Sequence, residues 1–270
     1  MNPSFSHIQM VAIDCDETLL RSDNTVSEYT KDVLHRLQDK GIRITIATGR
    51  MYQTAKPVGM SLQLGNVPML LFSGGLIQEL ESGRKLFERT VPLDTVQRIW
   101  NIASQYGWHI QSYVDDYLLC HHQDWQSDLY ERQTGANAEF LGDSLYELSQ
   151  EPNKLIAIDT VKNIDSIIDI LTPIVGDTAT LVRSQQDFLE IIAPHVSKGD
   201  ALYQLAQQYG IGLEHIVSFG NAENDISMLS KTGYSVAVEN AVDHVKSVAC
   251  EVCGHHNEDG VAHWIEEHLL

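Results

Sequence analysis

Basic residues are scarce in this sequence. It has 18 Lys and Arg against 37 Asp and Glu in 270 residues, which gives a formal net charge of −19 and a pI near 4.8. Nucleic acids and anionic membranes are bound through clusters of basic side chains. We therefore expect neither nucleic acid nor a membrane surface as a partner.

Cysteines and long hydrophobic runs are also few. Four cysteines in a chain of this length do not make a disulfide framework, which predicts a reducing, cytoplasmic environment. The longest apolar runs, such as residues 67–72, fall far short of a membrane span, and the N-terminus lacks the pattern of a signal peptide. Cys250 and Cys253 precede His255 and His256, but one such pair without a second is a weak metal-binding signal.

Two acidic residues follow an apolar run near the N-terminus. Residues 10–13 are predicted to form a buried strand, and Asp14 and Asp16 come directly after it. The i, i+2 spacing places both side chains on one side of a strand, and ligands of open α/β sheets bind beyond the carboxyl ends of the strands. Two carboxylates there repel each other unless a cation lies between them or one keeps its proton. A surface pair of aspartates would look the same in isolation, so the interpretation depends on the rest of the chain.

Strands and helices alternate on both sides of a central segment with a different pattern. Hydrophobic residues make up 43% of the chain, enough for a sizeable core. Predicted strands at 10–13, 42–47 and 68–72 alternate with helices at 27–40 and 52–62, and the alternation resumes after Pro194. This pattern predicts an α/β fold with a doubly wound parallel sheet. Between these parts, a helix followed by an antiparallel strand pair occurs twice, which predicts an α+β domain at 84–190 inserted into a core domain formed by 1–83 and 191–270.

Four segments carry a family resemblance. Asp14-Cys15-Asp16-Glu17-Thr18, Thr48-Gly49-Arg50, Ser197-Lys198-Gly199 and the segment 220–225 come in the order of the four motifs of haloacid dehalogenase-like (HAD) phosphatases. Together with the inserted domain and residues 257–262, they resemble the Cof-type branch of this family. The resemblance covers essentially the whole chain and implies a Rossmann-like core with a type IIB cap.

The resemblance also implies an activity. It implies a cytoplasmic, Mg²⁺-dependent phosphatase that hydrolyses small phosphorylated metabolites, with sugar phosphates as the expected class, through an aspartyl-phosphate. Asp14 would be the nucleophile and Asp16 the general acid and base, with Thr48 and Lys198 completing the catalytic set. The implied metal ligands are Asp14, the backbone carbonyl of Asp16, Asn221 and Asp225.

The implied substrate-binding residues lie at the predicted strand ends and in the cap. Arg183, on a predicted cap strand, is a candidate contact for an anionic substrate, although a surface ion pair fits it equally well. The full set expected to contact phosphate or substrate is Thr48, Gly49, Ser73, Gly74, Lys198, Asn224 and Arg183.

Three positions depart from the usual family pattern. Glu17 stands where glycine is usual, Gly74 where asparagine is usual, and Asn221 where an acidic metal ligand is usual. An amide oxygen can coordinate Mg²⁺ without contributing charge, so we expect weaker metal binding. Two alternatives stay open: a protein of this fold that binds a phosphometabolite as a sensor or partner, and a phosphomutase. The sequence indicates neither the physiological substrate nor the oligomeric state.

Overall fold

The chain forms two compact units. The computed structural model describes residues 5–270; the first four residues, on which the expected absence of a signal peptide partly depends, lie outside this range. The first unit comprises Met1–Phe87 with Ser197–Leu270, and the second comprises Glu88–Val196. The second unit therefore begins and ends a few residues later than the predicted insertion at 84–190.

The N-terminal part of the first unit begins with alternating strands and helices. Helix α1 starts where Ser27 accepts a hydrogen bond from the Thr30 backbone N–H, a cap that the sequence signals. The elements are β1 (Met10–Asp14), α1 (Glu28–Asp39), β2 (Arg43–Ala47), α2 (Tyr52–Ser61), β3 (Pro68–Leu71), β4 (Leu76–Glu79) and β5 (Lys85–Glu88).

The second unit has a sheet of its own. Its strand order is β10-β11-β9-β6-β7-β8, antiparallel except for the pair β7–β8. The three-residue strand β8 was not predicted, because it is short and lacks an apolar alternation. The elements are α3 (Leu93–Tyr106), β6 (Ile110–Val114), β7 (Tyr117–Cys120), α4 (Trp125–Thr134), β8 (Ala138–Phe140), β9 (Lys154–Ile158), α5 (Val161–Val175), β10 (Thr180–Gln185) and β11 (Phe188–Ile192).

The chain then returns to the first unit. The helix Ile226–Leu229 is only four residues long, and the strand Glu251–Val252 lies at the edge of the sheet. The elements are α6 (Lys198–Tyr209), β12 (Ile216–Gly220), α7 (Ile226–Leu229), β13 (Tyr234–Ala237), α8 (Asp243–Val248), β14 (Glu251–Val252) and α9 (Gly260–Leu269).

The sheet of the first unit brings distant segments side by side. Its order is β14-β13-β12-β1-β2-β3-β4-β5, and the strands from β14 to β3 pair in parallel. Met10 and Ala12 pack in one core cluster with residues of α6, while Val11 and Ile13, which point to the opposite face, are also fully buried. Both faces of β1 are therefore covered, and the predicted α/β class is confirmed.

None of the helices within residues 5–270 has the length and apolar character required to cross a bilayer.

Candidate active site

Four neighbouring strands end at one edge of the parallel sheet. Asp14 is the last residue of β1, Thr48 follows β2, Ser73 lies just beyond β3, and Asn221 follows β12. Since β12, β1, β2 and β3 are adjacent and parallel, these ends meet at the same edge. We call it the carboxyl edge of the sheet, the usual ligand-binding position in open α/β folds.

A buried lysine joins two carboxylates at this edge. The Nζ atom of Lys198 donates to Asp14 Oδ1 at 2.5 Å and to Asp225 Oδ1 at 2.6 Å. The side chains of Lys198, Asp14 and Asp225 are 1%, 7% and 0% exposed. We refer to these three residues as the buried triad; they come from positions far apart in the sequence.

Local structure fixes each member of the buried triad. Lys198 is the first residue of α6, and the preceding Ser197 caps that helix by accepting from the Asp200 backbone N–H. Asp225 lies in the turn after β12, where its Oδ2 atom accepts from the backbone N–H groups of Asn221 and Ala222, each at 3.0 Å. A carboxylate with three hydrogen-bond donors has little freedom to move.

The charges of the buried triad do not cancel. Burial, followed by repulsion from Asp225, raises the pKa of Asp14 to about 7, and the attraction of Lys198 offsets this only in part. Burial alone would lower the pKa of Lys198, but the two carboxylates outweigh it and hold the pKa above its usual range. One ammonium faces two carboxylates, so the site lacks one positive charge when both are ionised.

The oxygen atoms around the buried triad suit Mg²⁺. This ion prefers carboxylate, carbonyl and water oxygens, and the site offers the carboxylates of Asp14 and Asp225 together with the amide of Asn221. The Asn221 Oδ1 atom currently accepts from Thr18 Oγ1 at 3.2 Å. A divalent cation would supply the positive charge that the two carboxylates and one ammonium lack, so the residues present fit this ion.

Asp16 and Asp14 have different partners. The Asp16 carboxylate accepts from Arg50 Nε at 3.0 Å and from Arg50 Nη2. Asp14 instead shares Lys198 with Asp225. The chain turns after β1, which redirects the Asp16 side chain. Arg50 directly follows Thr48 and Gly49 in the sequence, but no role was predicted for it.

Small and polar residues line the ends of β2 and β3. Thr48 is fully buried, and its Oγ1 atom accepts from the Arg50 backbone N–H at 3.2 Å. A Cβ atom added at Gly49 would lie 3.4 Å from Ser73 Oγ. Thr48, Gly49 and Ser73 therefore lie close together, as expected for residues that would contact one phosphate group.

Gly74 meets a steric requirement. Its φ is +106°, and an added Cβ would lie 2.2 Å from the backbone oxygen of Ser197. The sequence indicates only that Gly74 stands where a polar asparagine side chain is usual. The structure gives a different reason: the backbone that leads into Lys198 occupies the space that any side chain at position 74 would need.

Three other residues named from the sequence are exposed or belong to the second unit. Asn224 and Glu17 are exposed. Arg183 belongs to the second unit, where it donates to Asp165 Oδ1 at 2.7 Å and to the carbonyl oxygens of Val161 and Gln186. The surface ion pair that the sequence left open for Arg183 is the arrangement that forms.

The cysteine and histidine cluster near the C-terminus does not converge. Cys250 and Cys253 flank β14, and residues three apart along a strand point to opposite sides. The His256 ring is buried, with Nδ1 2.8 Å from the Leu20 carbonyl oxygen. In the part of the chain that the structure describes, no group of three or more His, Cys, Asp or Glu side chains is arranged to hold a metal ion.

Known proteins resemble this chain over nearly its whole length. A 5-amino-6-(5-phospho-D-ribitylamino)uracil phosphatase of Bacillus subtilis is 28% identical over 96% of this chain and 97% of its own. A Thermotoga maritima protein of known crystal structure has 27% sequence identity to this chain. The two structures match with a TM-score of 0.89 over 96% of this chain and 97% of that one. A HAD subclass IIB sugar phosphatase of known structure has 19% sequence identity to this chain, and the structures match with a TM-score of 0.79 over 96% of this chain and 98% of that one. This likeness concerns the fold alone.

The family itself follows from a match over most of the sequence. Residues 11–265 match the haloacid dehalogenase-like hydrolases. This range includes all four motifs, the whole second unit and most of the first. The chain therefore belongs to the haloacid dehalogenase-like hydrolase family, and the family predicted from its four motifs is confirmed.

Proposed function

We propose that this hydrolase is a Mg²⁺-dependent phosphatase of small phosphorylated metabolites, with sugar phosphates as the substrate class. The observation that supports it best is the buried triad, in which the Lys198 amine contacts both Asp14 and Asp225 at the carboxyl edge of the sheet. A buried carboxylate beside an ammonium is suited to attack a phosphate, because the positive ammonium offsets the negative charges of the carboxylate and of the phosphate.

In the first step, an oxygen of Asp14 attacks phosphorus and the bond from phosphorus to the ester oxygen breaks. Asp16 gives its proton to the departing oxygen. In the second step, water attacks phosphorus of the aspartyl-phosphate while Asp16 accepts a proton from it. The bond from phosphorus to the Asp14 oxygen breaks, inorganic phosphate leaves, and the Asp14 carboxylate is restored. Thr48, Gly49, Ser73 and Lys198 bind the phosphate oxygens during both steps, with Gly74 giving space and Asn224 a further contact at the rim.

Mg²⁺ forms part of this proposal. Asp14, the backbone carbonyl of Asp16, Asn221 and Asp225 would hold it, and when bound it supplies positive charge next to the phosphate. Asn221 contributes no charge, so binding is expected to be weaker than with aspartate at this position. Calorimetric titration of Mg²⁺ into the wild type and Asn221→Asp measures this directly, and equal affinities would contradict it.

The substrate class and the cellular location are part of the same proposal. The Bacillus subtilis relative is named for a substrate that carries a phosphorylated ribityl chain, which favours phosphorylated sugars or sugar alcohols for this chain. The second unit would act as a type IIB cap that selects among them. The cytoplasmic location stays a prediction, and the four free cysteines agree with it.

The test is phosphate release from p-nitrophenyl phosphate and from a panel of phosphorylated metabolites. We expect Mg²⁺-dependent release by the wild type, its loss on chelation, and only background with Asp14→Asn. Activity no greater than that of Asp14→Asn on every compound would favour the sensor alternative. An isomerised sugar phosphate without free phosphate would indicate a phosphomutase.

A further inference from the structure

We propose that Arg50, held by Asn24, is a positioning residue that orients the Asp16 carboxylate toward the leaving group. This inference rests on the proposed phosphatase function, in which Asp16 transfers the proton. No role for Arg50 or Asn24 follows from the sequence motifs or from the family match.

Asp16 needs a partner to hold its orientation. It lies beyond the end of β1, in a turn where Asp16 (φ −73°, ψ 128°) and Glu17 (φ 55°) both leave the helical conformation. Its side chain is 47% exposed. A half-exposed carboxylate on such a turn samples several rotamers in water, whereas proton transfer requires one of its oxygens to stay within hydrogen-bond reach of the reacting oxygen.

The Arg50 guanidinium supplies that restraint. Its Nε atom donates to Asp16 Oδ2 at 3.0 Å and its Nη2 atom donates to Asp16 Oδ1, so both carboxylate oxygens are held. Bidentate contacts of this kind fix geometry as well as charge. When one oxygen carries the proton, the contact to the other is enough to keep the carboxyl group in place.

Arg50 is held in turn by a separate loop. Its Nη2 atom also donates to Asn24 Oδ1 at 3.0 Å. Asn24 has φ +61° and lies in a tight turn closed by Arg21 N–H to the Thr25 carbonyl and Asn24 N–H to the Arg21 carbonyl. A chain of contacts from Asn24 through Arg50 to Asp16 therefore links three segments of the first unit.

An orienting role and a merely structural role predict different kinetics. A leaving group that is stable as an anion departs with little help from an acid, whereas a basic leaving group needs the proton. Misplacing Asp16 should therefore slow the phosphorylation step for basic leaving groups much more than for stable ones. Damage to the fold would slow both to the same extent.

The test compares p-nitrophenyl phosphate with phenyl phosphate, which have similar shapes and leaving groups of low and high basicity. The measured quantity is kcat/KM, since it reports the steps up to formation of the aspartyl-phosphate. For Arg50→Gln we expect a loss of roughly 10- to 100-fold with phenyl phosphate and less than about threefold with p-nitrophenyl phosphate. Arg50→Lys should recover part of the loss, and Asn24→Ala should show a smaller change in the same direction.

The matched control is Arg21→Gln. Arg21 also binds an aspartate through Nε and Nη2, namely Asp259 Oδ1 and Oδ2 at 3.3 and 2.7 Å, with a side chain 35% exposed against 24% for Arg50. Any loss in this control should be equal for the two substrates. A double variant adds a second check: once Asp16→Asn is present, adding Arg50→Gln should cost less than about threefold more.

Two results would contradict the role proposed for Arg50 without contradicting the proposed phosphatase function. Equal losses with both substrates in Arg50→Gln, or full additivity with Asp16→Asn, would leave a working phosphatase in which Arg50 does not act through Asp16. If the wild type hydrolyses neither ester at any Mg²⁺ concentration, that result would contradict the proposed function and, with it, the role proposed for Arg50.

Discussion

At the scale of single residues, Asp14 makes stability depend on pH. Its pKa rises from 3.8 to about 7 on folding, mainly through burial and then through repulsion by Asp225. Between these values the folded chain holds a proton that the unfolded chain has lost, so this group lowers the free energy of unfolding as the pH rises from about 4 to about 7. We expect metal-free Asp14→Asn to be more stable than the wild type at pH 8, by roughly 2 to 8 °C in Tm, with little difference at pH 4.

Thermal unfolding in the presence of a chelator, at pH values from 4 to 8, measures this difference. Asp32→Asn is the control, because it removes the same charge from an exposed residue on α1. The expectation is wrong if Asp14→Asn and Asp32→Asn change Tm equally at every pH.

Gly74 gives a second prediction at the residue scale. Gly74→Ala places a Cβ 2.2 Å from the Ser197 carbonyl oxygen, and that contact can be relieved only by moving the backbone before Lys198. We expect the free energy of unfolding to fall by more than about 3 kcal/mol and kcat/KM to fall with it. Gly107→Ala is the matched control: it also has a positive φ, +67°, but no atom lies within 4 Å of the added Cβ, so only about 1 kcal/mol of strain is expected. Urea unfolding of both variants measures the two decreases in the free energy of unfolding. Equal decreases would contradict the steric explanation.

At the scale of elements, the start of α6 connects stability with activity. Ser197 caps α6 through the Asp200 backbone N–H, and Ser27 caps α1 through the Thr30 backbone N–H. Ser197→Ala and Ser27→Ala should each lower the free energy of unfolding by about 1 kcal/mol. Only Ser197→Ala should also lower kcat/KM, because its helix begins with Lys198. A similar loss of activity in Ser27→Ala would show that the effect comes from general destabilisation.

Elements with strong local signals could be predicted, and those without them could not. Helices α1 and α6 have a serine cap, an apolar face and a glycine at the end, all visible in the sequence. Strand β14 has two residues, one of them Glu251, and exists only because β13 lies beside it. The contact between Arg50 and Asp16 joins residues 34 positions apart, so no local pattern could indicate it.

At the scale of the whole molecule, the order of strands and helices along the chain predicted the fold and the place of the site, which no single residue did. Parallel strands with polar residues after them must bring those residues to one edge of a sheet, which holds for Asp14, Thr48 and Asn221. Lys198 begins a helix and Asp225 lies in a turn, and the family resemblance placed both with Asp14. The particular partner of each side chain depends on packing at that edge. For that reason the spacing of residues did not indicate that one lysine, Lys198, contacts both Asp14 and Asp225.

The second unit should fold on its own. Its hydrophobic core consists entirely of its own residues, including Trp100 and Leu155, both almost fully buried, and its strands pair only with one another. A fragment of residues 88–196 should therefore unfold cooperatively in urea, as a domain of this size with a single core normally does. The control is Trp100→Ala, which removes a large side chain from the middle of that core and should lower the free energy of unfolding of the fragment by about 3 to 5 kcal/mol. If the fragment shows no cooperative transition, or if Trp100→Ala leaves the transition unchanged, the core of the second unit does not stabilise it independently.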